Sequence, residues 1–214
     1  MYLNKVLLSC FFLFTYFVGI AQLDQVTQQK LDELFQGLDN QPGVAAAVFS
    51  KGKVIYKKTA GYANLDYDQK ITAKSVFDIG SLSMHFTAAC IVLLENEGKL
   101  SLNDPIHEYL PELPKYAEGQ PTIRHLLNHT SGLRDYLIGI DMNKNTFDIT
   151  YDKQQGLNFL IKQKELGFTP GQEFEYCNSN YLLLNHIVSE ISSQSLGEFA
   201  DSAIFKPLGM EHTF

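Results

Sequence analysis

The sequence predicts an α+β protein in which helices pack on an antiparallel sheet. Three observations carry this: a helix-period segment near the N-terminus, one hairpin pattern directly after it, and helix-period segments through most of the remainder. The chain has 214 residues, 45% of them hydrophobic. That is enough for one sizeable core or two lobes.

Leu23 to Leu38 carries apolar residues at Leu31, Leu34, Phe35 and Leu38, a helical stripe that ends near Asn40-Gln41-Pro42-Gly43. Two β-prone runs follow, Val44–Phe49 and Lys53–Thr59. Ser50-Lys51-Gly52 between them reads as a tight hairpin turn. Residues 64–76 are polar and read as a loop. From Ser83 to Glu97 the pattern is strongly helical, with Gly98 where a C-terminal cap belongs. LSLNDPIHEYLPELP holds three prolines and is expected to be irregular. Thr122 opens a short helix that stops near Gly132. Residues 134–153 are polar and poorly periodic. Gln154–Leu166, Tyr181–Ile191 and Ser195–Ile204 are further helical segments. One hairpin is too little sheet to be stable alone. Either residues absent from this sequence complete it, or a strand goes unread.

The first residues, MYLNKVLLSCFFLFTYFVGIAQ, read as an export signal occupying residues 1–21. Lys5 supplies a positive start, Val6 to Ile20 is an uncharged apolar run, and Gly19-Ile20-Ala21 offers small residues for cleavage. The run is short against the ~20 apolar residues of a membrane-spanning helix. No stable span is expected after its removal, and residues 22–214 are expected to work outside the cytoplasm, secreted or in the periplasm or cell envelope. Cys10 precedes most of the apolar run, which argues against lipidation there. Loss of Lys5 takes the net charge from −7 to −8. An acidic balance gives no support to nucleic-acid binding, which needs basic patches. Cys90 and Cys177 remain and are read as free thiols, a bridge between them being the lesser alternative. No metal-type Cys/His spacing occurs, so no metal or other cofactor is expected.

Three stretches could carry chemistry. Ser81 follows Gly80 at the entrance of a helix, where unpaired N–H groups and a partial positive charge suit a nucleophile that generates an oxyanion. On local features alone, capping is the stronger role for this serine, with Ser83 an equal competitor. In GQEFEYCNSNYLLL, Tyr176 could relay protons and Asn178 could orient a substrate, although Asn178 could equally cap the next helix. In TIRHLLNHTSGLRDY, His125 and His129 lie four apart, but no carboxylate follows in a zinc-protease arrangement. Arg124, His125 and His129 are therefore expected to fix the neighbouring loop by hydrogen bonding.

Taken together, IGSLSMHFTA, LLENEGKLSLNDPIHEYLPE, TIRHLLNHTSGLRDY and the segment from Pro170 to Thr213 resemble the serine β-lactamase-related family, from about residue 27 onward. That group holds class C β-lactamases, D-alanyl-D-alanine carboxypeptidases and esterases of one fold. The resemblance implies an antiparallel sheet flanked by helices plus a helical lobe, with acyl transfer on an amide or ester through a serine acyl-enzyme. Small-molecule or peptidoglycan-like substrates are implied with it. Ser81 matches the serine of the family's Ser-x-x-Lys motif, and Tyr176-Cys177-Asn178 matches its Tyr-x-Asn motif.

Two departures stand out. Met84 occupies the lysine position, and a thioether neither accepts a proton usefully nor sets a cation beside Tyr176. Losing such a partner costs on the order of 10⁴ to 10⁶ in rate, about 5–8 kcal/mol of barrier. His85, one helical turn beyond Ser81, is a candidate substitute base. Without a base the expectation is a catalytically inactive relative that binds ligands or partner proteins. The second departure is that no Lys/His-x-Gly strand motif follows PLGMEHTF. The sheet is therefore expected to be incomplete, as in a partial sequence or a truncated product.

Overall fold

A computed structural model describes residues 23–139 and 153–214. The proposed export signal, with Lys5 and Cys10, lies outside the described residues, as do 140–152. The chain divides into two compact units, one ending at Ser75 and the other running from Val76 to Phe214.

In the first unit, helix α1 spans Gln25–Glu33. The Asp24 carboxylate caps it, accepting from the Thr27 amide at 2.9 Å and the Thr27 hydroxyl at 2.7 Å. The helical stripe expected to reach Leu38 stops earlier, and the chain continues in turns. Strands β1 (Val44–Ser50) and β2 (Lys53–Ala60) pair antiparallel, from Val44 opposite Ala60 to Ser50 opposite Lys53. Lys51 and Gly52 both take positive φ, as a two-residue hairpin turn demands. A register shift between Val48 and Phe49 marks a bulge. A second, smaller pair follows: β3 (Tyr62–Asn64), which ends where the loop was expected to begin, pairs with β4 (Gln69–Lys70) inside the segment read as a loop. These runs are too short for alternation to reveal. Asp32 ties α1 to β2 by accepting from the Tyr56 hydroxyl at 3.1 Å and pairing with Lys58 at 2.9 Å. Among the described residues each sheet has two strands. Val44, Val48, Phe49 and Val54 are exposed.

The second unit is helical. Helix α2 (Met84–Asn96) packs on α6 (Asn178–Ser192), which also meets α3 (Ile123–Leu127), α4 (Tyr136–Gly139), α5 (Lys153–Ile161) and α7 (Leu196–Ala200). Helix α6 takes the centre because Leu183, Leu184, Ile187 and Val188 recur at helical spacing and are fully buried, in one core cluster with Ile91 and Leu94 of α2. Helix α2 closes as expected: the Gly98 amide bonds the Glu95 carbonyl at 2.9 Å and the Lys99 amide the Leu94 carbonyl at 3.0 Å. The proline-rich stretch is irregular yet anchored. Asp104 accepts from the Ser101 amide at 2.7 Å and the Tyr109 hydroxyl at 2.6 Å, while Glu95 accepts from the Leu102 amide at 3.0 Å.

Helix α3 opens on a capping box in which His125 stands where Glu is usual. Its amide donates to Thr122 Oγ1, and its Nδ1 accepts from the Thr122 amide. Arg124 Nε donates to Asn103 Oδ1 at 3.2 Å. Both residues thus fix neighbouring chain by hydrogen bonds. Helix α6 begins at Asn178, a turn before the expected Tyr181, and α5 ends at Ile161 rather than Leu166.

Candidate active site

Ser81 lies in a tight helical turn, Gly80–Ser83, that runs directly into α2. Gly80 sets the entry with φ of +52°, and its amide donates to Asp78 Oδ1 at 2.8 Å. Ser83 does not cap the helix; its backbone is already helical and its side chain makes no cap bond. Ser81 is exposed.

Tyr176 arrives from the segment that leads into α6. The amides on either side of it are both held by His129: Glu175 N–H donates to the His129 carbonyl at 2.9 Å, and Cys177 N–H to its Nδ1 at 3.2 Å. The two rings stack with centroids 4.7 Å apart and planes inclined by 32°. So held, the Tyr176 hydroxyl donates to Ser81 Oγ at 2.9 Å, across 95 positions of sequence. Met84 Sδ lies 3.7 Å from the same hydroxyl and Asn178 Oδ1 3.5 Å from it.

Asn178 does not cap α6 either. Its backbone amide and its Nδ2 both donate to Asp135 Oδ2, at 2.8 and 2.7 Å. His85 faces back onto the turn that precedes α2, with Nδ1 3.0 Å from the Leu82 carbonyl. A carbonyl only accepts, so in the neutral ring Nδ1 carries the proton and Nε2 the lone pair. Ser81, Met84, His85, His129, Tyr176 and Tyr181 line one cleft of about 270 Å³. Among these lining residues there is no lysine, arginine or carboxylate. Ser81, Tyr176, Asn178 and His85 therefore gather in one place, and Met84 lies beside the Tyr176 hydroxyl.

Burial sets the proton affinities around the cleft. It pushes the His129 imidazole below the usual histidine range, outweighing the opposing effects of the Cys177 amide and Asp135. Burial raises the Tyr181 phenol and the Cys177 thiol. Cys90, packed in the core, is pushed up to about 11. Both cysteines are buried free thiols, and Cys177 Sγ donates to the Leu133 carbonyl at 3.3 Å. Among the described residues no three His, Cys, Asp or Glu side chains are placed to hold a metal ion. No helix among them is long and apolar enough to cross a membrane.

A wider apolar groove of about 470 Å³ is lined by Phe77, Ile79, Phe86, Leu196 and Phe205 among others. It contains Ser83 but neither Ser81 nor Tyr176. Sequence reasoning assigned no role to Asp135 or Tyr181. Their partners lie 43 and 54 residues away in the chain, and nothing local to either residue announces them.

A helical unit presenting a serine at a helix entrance, opposite a tyrosine and an asparagine that open a second helix, is the layout of a serine hydrolase-type fold. The chain belongs to the beta-lactamase family, whose sequence profile matches residues 31–214. Penicillin-binding protein 4* of Bacillus subtilis (strain 168) is 34% identical over 194 residues, covering 89% of this chain and 42% of that protein. Protein flp of Staphylococcus aureus (strain N315) is 32% identical, covering 90% of this chain and 39% of its own length. The chain thus spans less than half of these curated relatives. Among solved structures, the octameric penicillin-binding protein homologue from Pyrococcus abyssi superimposes with a TM-score of 0.73 at 27% identity, covering 88% of this chain and 44% of that one. FmtA from Staphylococcus aureus gives 0.71 at 26% identity, covering 89% and 51%. The D-amino acid amidase from Ochrobactrum anthropi SV3 gives 0.68 at 29% identity, covering 84% and 48%.

Proposed function

We propose that this protein is an exported serine hydrolase of the beta-lactamase family, in which Ser81 attacks the carbonyl of an amide or ester and is acylated. One observation carries the reading: Ser81 Oγ and the Tyr176 hydroxyl are 2.9 Å apart at the edge of an open cleft. Attack joins Ser81 Oγ to the carbonyl carbon, and the hydroxyl proton ends on the leaving amine or alcohol. Water then releases the acyl group. Tyr176 is the relay for that proton, and Asn178, fixed by Asp135, orients the substrate. The apolar run Val6–Ile20 supports export to the cell envelope. The substrate is a β-lactam, a D-alanyl peptide or an ester, in keeping with relatives named as penicillin-binding proteins and a neighbour named as an amidase.

Turnover is slow in this reading. The Tyr176 hydroxyl is itself the donor to Ser81, and neither the Asn178 amide oxygen at 3.5 Å from it nor the Met84 thioether at 3.7 Å is a useful base. His85 lines the same cleft with Nδ1 turned to the Leu82 carbonyl, which leaves Nε2 with the lone pair, and we assign it the part of substitute base. The same thioether favours a second reading, in which the cleft binds acyl ligands or a partner protein without chemistry.

Full-length protein treated with a fluorophosphonate or a fluorescent penicillin separates the two. Slow, stoichiometric labelling that disappears in Ser81→Ala is the expected result. Ligand binding with no covalent label after prolonged incubation would overturn the hydrolase in favour of the binding protein.

A further inference from the structure

We infer that His129 is the positioning residue for Tyr176, holding the phenol against Ser81 through an unprotonated Nδ1 and a stacked ring. The inference rests on the reading of Ser81 and Tyr176 as the reacting pair.

Donor and acceptor chemistry fixes the state of this ring. The Ser131 hydroxyl receives the Leu133 amide at 3.1 Å and donates to Asn180 Oδ1 at 2.6 Å. Asn180, fully buried, must then turn its Nδ2 toward His129 Nδ1, 3.1 Å away. Cys177 N–H points at the same nitrogen from 3.2 Å. Two donors converge on Nδ1, which therefore carries a lone pair, and the neutral ring bears its proton on Nε2.

The backbone points the same way. His129 sits just past the end of α3 with φ of +55°, a left-handed conformation uncommon for a residue with a side chain. That conformation lets one residue bracket Tyr176, with its carbonyl taking Glu175 N–H and its ring taking Cys177 N–H. Tyr181 completes the stack at 5.2 Å, and its own hydroxyl is tied to the Leu127 carbonyl at 3.1 Å. The Tyr176 side chain is exposed toward the cleft, so this support from behind sets where its hydroxyl lies.

Three variants separate the contributions. His129→Asn keeps an acceptor near the Nδ1 position and tolerates the left-handed backbone. His129→Phe keeps a ring without an acceptor, and His129→Gly relieves the backbone while losing both. Hydrogen exchange of the Cys177 amide reads the clamp, and fluorophosphonate labelling of Ser81 reads its effect on the site. We expect exchange to quicken about tenfold in the Phe and Gly variants and to stay close to wild type in the Asn variant, in proportion to one lost hydrogen bond. Labelling follows the same order. Equal exchange in all four proteins, or labelling of the Phe variant as fast as the Asn variant, overturns the inference. If no protein labels but exchange follows the predicted order, the hydrolase reading fails and the clamp stands. Should the variants not fold, ¹⁵N spectra of the wild-type histidines decide: a bare Nδ1 at His129 is expected, and a protonated one refutes the inference.

Discussion

A single carboxylate oxygen of Asp135 takes both N–H groups of Asn178, the backbone amide at 2.8 Å and Nδ2 at 2.7 Å. Because an ionised carboxylate only accepts, this contact decides which way the Asn178 amide faces. Nδ2 turns to Asp135, and Oδ1 faces the Tyr176 hydroxyl at 3.5 Å. The other Asp135 oxygen accepts from the Leu137 amide at 2.9 Å, so the carboxylate joins α4 to the start of α6.

Removing that carboxylate leaves half-buried donors without an acceptor. Asp135→Ala is expected to lower stability by about 2–4 kcal/mol, the range for losing charge-assisted hydrogen bonds. Urea denaturation with an unchanged slope is the measurement. Asp135→Asn retains the shape and one acceptor and is expected to lose about half as much. Equal stability of Asp135→Ala and wild type would mean that water satisfies α6 as well as the carboxylate does.

Met84 and His85 make opposite predictions about catalysis. Met84→Lys sets an ammonium or amine beside the two hydroxyls, and Ser81 acylation is expected to rise at least ~100-fold, part of the loss that a missing base imposes. His85→Ala in the native background is expected to slow labelling about tenfold or more, since general-base groups contribute on that scale and above. Rates are read by quenched gel fluorescence over a time course. No gain from the lysine, together with no loss from the alanine, would rule out both accounts of the proton.

The two halves of this grouping were visible in the sequence only as candidates: local features favoured capping for Ser81 and left Asn178 equally a cap, and it was the resemblance of the combined blocks to the family that matched Ser81 and Tyr176-Cys177-Asn178 to its motifs. The helices of the second unit were legible from local pattern: Leu183, Leu184, Ile187 and Val188 declare a buried face by spacing alone. What joins the halves was not. The clamp of His129 on Tyr176 and the hold of Asp135 on Asn178 are pairings 47 or 43 residues apart, specified by geometry rather than periodicity. Helix starts were misplaced because Cys177 precedes α6 without a side-chain cap, so no Ser, Thr or Asp signal announces it. The β3–β4 pair was missed because strands of three and two residues are too short to show alternation.

Two glycines test the backbone's part. Both need positive φ, +52° at Gly80 and +77° at Gly132. A Cβ on Gly80 meets nothing within 4 Å, whereas one on Gly132 would lie 2.2 Å from the Phe168 carbonyl oxygen. Gly80→Ala is therefore expected to cost only the left-handed strain, about 1–2 kcal/mol. Gly132→Ala adds a collision with backbone and is expected to cost more than ~3 kcal/mol. Thermal melts and soluble yield rank the pair. Equal melting temperatures would show that the chain near Phe168 gives way freely.

Acid should destabilise this protein through its histidines. Burial is the first cause of a lowered proton affinity at His125, His129 and His186. At His125 and His129 the Nδ1 atom also accepts a backbone amide, which a protonated ring cannot do. The unfolded chain, with histidines near pKa 6.5, then binds more protons than the folded one in mildly acidic solution. Stability is complete above that value and is lost as pH falls toward the depressed folded values. Each histidine contributes at most about 1.4 kcal/mol per pH unit, less where solvent screens these half-buried rings. The urea midpoint is expected to fall between pH 7.5 and pH 5.5, a window set by the usual histidine pKa. His129→Asn, which has nothing to titrate there, should show a shallower fall. A midpoint that held steady or rose on acidification would mean that the folded protein protonates these rings as readily as the unfolded chain does.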